Sequence, residues 1–85
     1  MKINNIEKLR KKVDIVDGKL VYLLAERFKI TREILSLKKE KGLGLKDKVR
    51  EEDILKSVAK LSKKNEVDPG AVVDIFKSIL KESKK

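Results

Sequence analysis

The chain has 85 residues, 23 Lys and Arg against 14 Asp and Glu, a formal net charge of +9, and neither Cys nor His. Those totals exclude a disulfide scaffold, a thiolate metal centre and chemistry that leans on imidazole, the usual general base and commonest metal ligand. The length predicts one domain, residues 1–85, and three aromatics (Tyr22, Phe28 and Phe76) among dispersed lysines offer little for stacking bases, so the positive charge reads as a solvated surface rather than a nucleic-acid face.

The first element expected is one long amphipathic helix over about 35 residues, roughly 50 Å of rod. Ile6, Leu9, Val13, Val16, Leu20, Leu23, Ile30, Ile34 and Leu37 recur in alternating steps of three and four, the coiled-coil seam pattern, with Arg27 holding one place of the stripe. Arg10 and Lys38 each lie one position past a stripe residue. Asn4 or Asn5 is the expected N-cap, with Glu7 in the first turn where its charge suits the dipole. Gly18 sits mid-helix, either to let a neighbouring helix approach or as a tolerated surface residue. Gly42-Leu43-Gly44 is the clearest breaker in the chain and should stop the helix near Lys41.

Leu45-Lys46-Asp47 reads as a connector, with Asp47 as cap of a second helix whose apolar face is Val49, Ile54, Leu55, Val58 and Leu61, fraying at Lys63-Lys64-Asn65. Val67-Asp68-Pro69-Gly70 then starts a third helix, with Asp68 at the N-cap and Pro69 at its first position. Val72, Val73, Phe76, Ile79 and Leu80 line one side, and Ser83 extends that face by a turn. The expected fold class is all-α, three helices per chain with a long first helix. Two short helices cannot cover such a rod, so the seam calls for a partner, most simply a second copy in two-fold symmetry. No apolar run approaches the roughly 20 residues of a membrane span, and Met1-Lys2-Ile3-Asn4-Asn5 has no signal-peptide core. A soluble cytoplasmic protein with no membrane and no nucleic-acid partner is expected.

Four cations, Arg10, Arg27, Lys38 and Arg50, fall on or beside apolar faces, together with Asp47, Glu51 and Ser83. Cations taken out of water need anionic partners. Some of these charges can pair across helices; together the four suggest a small ligand with more than one carboxylate, which the planar fork of arginine grips in two places.

The segments Leu9-Arg10-Lys11-Lys12-Val13 with Asp17, Leu23-Leu24-Ala25-Glu26-Arg27, Lys38, Asp47-Lys48-Val49-Arg50-Glu51 and Ile79-Leu80-Lys81-Glu82-Ser83 resemble the small all-helical chorismate mutases over almost the whole chain. The resemblance implies an isomerase of aromatic amino-acid biosynthesis, an intertwined helical homodimer that rearranges chorismate to prephenate. It implies that Arg27 and Arg10 hold the two substrate carboxylates, Arg10 reaching across the dimer interface. Lys38 would donate to the ether oxygen, Glu51 and the backbone at Asp47 would hold the ring hydroxyl, Arg50 would support the carboxylate end, and Ser83 would touch the ring. Lys38, Arg27, Arg10 and Glu51 are thus the catalytic set.

That chemistry suits the inventory. A unimolecular pericyclic rearrangement needs no nucleophile, proton transfer, metal or cofactor. It needs the enolpyruvyl arm held over the ring and negative charge stabilised on the departing oxygen. The family's usual Gln or Glu one turn after the Ser83 position falls two residues past Lys85, which implies a shortened chain, a weaker partner for the ether oxygen or a poor catalyst. Lys84 is next in sequence but on the wrong side of the helix. The proline common before the connector Asp is absent too, which loosens residues 42–45. The alternatives are an isochorismate-pyruvate lyase, against which Glu51 favours the mutase, a low-activity or regulatory relative of the same fold, and a basic helical nucleic-acid-binding protein.

Overall fold

The computed structural model describes residues 2–44 and 47–84, with side chains from Asn5 onward; Leu45 and Lys46 of the expected connector lie outside the described residues. Among the described residues there are three α-helices and no strand: α1 Lys2–Glu40, α2 Lys48–Lys64 and α3 Pro69–Glu82. The all-α, three-helix expectation holds.

Helix α1 begins earlier than expected. Its first turn holds no acidic residue, and Asn4 and Asn5 lie inside it rather than at its cap. No Gly or Pro precedes Asn4 to break the helix, so the turn propagates towards the terminus. Its other end follows the expectation. Gly42 takes φ +67, the Gly42 N–H donates to the Lys39 carbonyl (3.2 Å), and the Leu43 N–H donates to the Lys38 carbonyl (2.8 Å). Those two bonds are a Schellman stop, and the left-handed residue they require is the one without a Cβ.

The chain divides into two units, Met1–Ile30 and Thr31–Lys85. In the first, the stripe residues Ile6, Leu9, Val13, Val16, Leu20, Leu23 and Ile30 are all exposed, while Leu24, Arg27 and Phe28 are half-buried. In the second, Ile34 and Leu37 are exposed, and Thr31, Leu35 and Lys38 are half-buried.

Within the second unit α2 packs on α3. Asp47 caps α2, its Oδ1 accepting the Arg50 N–H at 2.9 Å. Asp68 caps α3, its Oδ2 accepting the Ala71 N–H at 3.1 Å, with Pro69 in the first turn. The link between them, residues 65–68, repeats the Schellman bonds: the Glu66 N–H donates to the Lys63 carbonyl (3.3 Å) and the Val67 N–H to the Ser62 carbonyl (2.9 Å). Here Glu66, at φ 58, fills the left-handed position.

The core of this pair is small. Leu80 is buried, and Val72, Val73, Phe76, Ile79 and Ser83 are half-buried around it, the face expected for α3. The expected face of α2 needs correction. Ile54, Leu55 and Val58 turn inward, but Val49 and Leu61 are exposed, at 70% and 57%. At about 100° per residue the inward face centres on Glu51, Leu55, Val58 and Ser62, which leaves Leu61 a quarter turn to the side and Val49 nearly opposite. Ser62 takes the buried place because it is small and its hydroxyl donates to the Val58 carbonyl at 2.6 Å, so no polar atom goes unpaired.

Candidate functional site

The first turn of α2 and the last turn of α3 bring sequence-predicted site residues to one end of the α2–α3 pair. Asp47 uses its carboxylate on the Arg50 N–H and its carbonyl accepts the Glu51 N–H at 3.1 Å. Its carboxylate and its carbonyl thus each accept one hydrogen bond from the start of the helix. The Arg50 side chain is exposed, a donor fork open to an anionic group.

Glu51 is one residue further on and on the inward face. Its carboxylate is held at both oxygens by Lys84, with Nζ 2.9 Å from Oε1 and 2.8 Å from Oε2. The Glu51 side chain is 23% exposed and that of Lys84 43%. Ser83, the residue before, is half-buried, and its N–H and hydroxyl both donate to the Ile79 carbonyl, at 2.9 and 2.7 Å.

Lys84 is the residue that sequence reasoning set aside. Helical spacing does not put it on the far side: Lys84 stands one turn beyond the buried Leu80, and the C-cap Ser83 keeps a right-handed helical backbone at φ −66 and ψ −14. The long lysine stem then reaches back to the start of α2. The signal available beforehand was the pairing of helix ends: an acid opening α2 and a base closing α3 meet when the two helices form a hairpin.

Lys38 is half-buried in the second unit, and its carbonyl is the acceptor that terminates α1. In the first unit Arg27 is half-buried and Arg10 is exposed. Lys38, Asp47, Arg50, Glu51 and Ser83 thus belong to the second unit, where α2 and α3 bring the last four to one end, while Arg10 and Arg27 belong to the first.

The chemistry on offer is that of binding and electrostatics. Arginine and lysine donors can hold carboxylates, and a half-buried Glu51 with unshared lone pairs can accept from a hydroxyl. Residues 9–85 match the model of the family described as chorismate mutase type II. The chain belongs to that family.

Every site residue named above falls inside the matched range of the chorismate mutase type II family. A chorismate mutase of Methanocaldococcus jannaschii is 30% identical over 82 residues, covering 96% of this chain and 83% of that protein. A bifunctional chorismate mutase/prephenate dehydratase of Buchnera aphidicola is 29% identical over 80 residues, 94% of this chain but 21% of that protein. A 3-dehydroquinate dehydratase of Pyrobaculum aerophilum is 46% identical over 48 residues, 56% of this chain and 16% of that protein. Among the described residues no helix is long and apolar enough to cross a membrane.

Proposed function

We propose that this chain is a chorismate mutase, one domain over residues 1–85 that rearranges chorismate to prephenate in the biosynthesis of phenylalanine and tyrosine. The observation that carries the reading is the family match over residues 9–85, joined to a named chorismate mutase aligned along 83% of its own length.

In this reading Arg27 and Arg10 hold the two substrate carboxylates, and Arg50 supports that end. Lys38 faces the ether oxygen, where its ammonium opposes the charge that grows as the carbon–oxygen bond breaks. The Asp47 backbone and the Glu51 carboxylate receive the ring hydroxyl, and Ser83 lies along the ring. Holding the arm over the ring turns a floppy reactant into a near-attack conformer. One feature supports these roles: Arg27 and Lys38 are half-buried, where a cation acts through less water.

The functional unit is a homodimer in which Arg10 comes from the second copy. The exposed α1 stripe supports this, because each aliphatic side chain fully withdrawn from water contributes about 1.5–3 kcal/mol. The test is the fall of chorismate absorbance with the purified protein present, alongside Lys38→Ala. A rate no faster than the spontaneous rearrangement would sink the proposal.

A further inference from the structure

We infer that Lys84 is a positioning residue of this site, acting through Glu51 on the end that receives the substrate hydroxyl. The inference rests on the mutase reading of Glu51 given above.

Lys84 spans both Glu51 oxygens from the far end of α3, at 2.8 and 2.9 Å. Among the described residues it is the partner that holds this carboxylate. The other polar groups at the same end are committed elsewhere: the Asp47 carboxylate to the Arg50 N–H, and the Ser83 hydroxyl to the Ile79 carbonyl. Without Lys84 the carboxylate is free to rotate at the mouth of the hairpin.

A carboxylate offers about four lone-pair sites, and one ammonium lying between its oxygens uses about two. The rest remain to accept a hydroxyl, now with their direction set. The ion pair also offsets a charge conflict, since a bare Glu51 carboxylate would stand beside a doubly negative ligand, and like charges in a partly dry site repel strongly. Lys84 thus fixes the plane of the acceptor and cancels its charge without taking the acceptor away.

The ring hydroxyl gains no charge during the rearrangement, so a contact to it is equally strong in substrate and transition state. Loss of such a uniform contact falls on KM and not on kcat.

The experiment is steady-state turnover of chorismate by the whole protein and by Lys84→Met, Lys84→Arg, Glu51→Gln and the Lys84→Met/Glu51→Gln double variant. Lys84→Met should raise KM about threefold to tenfold, the scale of one hydrogen bond, with kcat held within about twofold. Lys84→Arg should restore KM, and Lys84→Met should add nothing in the Glu51→Gln background. Unchanged KM, a loss confined to kcat, or full additivity with Glu51→Gln overturns the inference while leaving the mutase reading intact. Absence of turnover by the unsubstituted protein removes that reading first and this inference with it.

Discussion

Two residues occupy the same left-handed backbone position at the ends of two helices, and they are not equally suited to it. Gly42 has φ +67 and Glu66 has φ 58. A side chain there crowds the following carbonyl, and glycine does not. Glu66→Gly is expected to stabilise the chain by about 0.5–1 kcal/mol, the relieved strain being partly offset by the freer unfolded chain. Urea melts of the two proteins measure it, and a destabilised variant would contradict the account. In the proposed mechanism the decisive residues for catalysis are Lys38 and Arg27. Lys38→Ala or Arg27→Ala should fold with an unchanged helical spectrum and lose about a hundredfold to a thousandfold in kcat/KM; near-normal turnover by either variant would remove its assignment. Local signals made the caps readable beforehand: Asp47, Asp68 with Pro69, and Gly42 each act on backbone groups within a few positions. Lys84 was not readable in the same way, because its partner Glu51 is 33 positions away and no local signal links the two.

Along the elements, periodicity announced three helices and misjudged one face. For α3 the inward row was plain, since Val72, Val73, Phe76, Ile79 and Leu80 leave no choice. For α2 the apolar letters drew attention to Val49 and Leu61, while the true centre of the face includes the polar Glu51 and Ser62. Counting greasy residues cannot find a face that admits a self-satisfied hydroxyl and an ion-paired acid. Gly18 in α1 offers a test at this scale. A methyl group built there meets nothing within 4 Å, and helical spacing puts it opposite Val16 and Leu20. Gly18→Ala should therefore strengthen α1 by about 1 kcal/mol, raising the melting temperature by about 4–8 °C in a chain of this size. A lower melting temperature would mean that a neighbouring helix needs the space, the other role considered for this glycine.

For the molecule as a whole, the dominant fact is how little one copy hides. Leu80 and Ser62 are the buried residues among those described, while every apolar residue of the α1 stripe is exposed. If that stripe is covered by a second copy, stability is tied to protomer concentration. The melting temperature should climb as protein concentration rises, and sedimentation should give twice the mass of the 9.8 kDa chain. A concentration-independent melt at monomer mass would dismiss the dimer. A ligand that binds only the folded protein adds stability by mass action, about 2.7 kcal/mol at a hundredfold excess over its dissociation constant. A non-reacting dicarboxylate analogue of chorismate should accordingly raise the melting temperature, and should do so less in Arg27→Ala.

The α2–α3 hairpin carries a consequence for how the protein is made. Its connection is four residues, 65–68, and both of its helices begin with a side-chain cap. Pairings so close along the chain form in microseconds to milliseconds, and dilution does not slow them. A newly synthesised chain would thus hold its second half in shape early, and if a second copy covers α1, refolding followed at two dilutions should separate an early, dilution-insensitive phase from a bimolecular one.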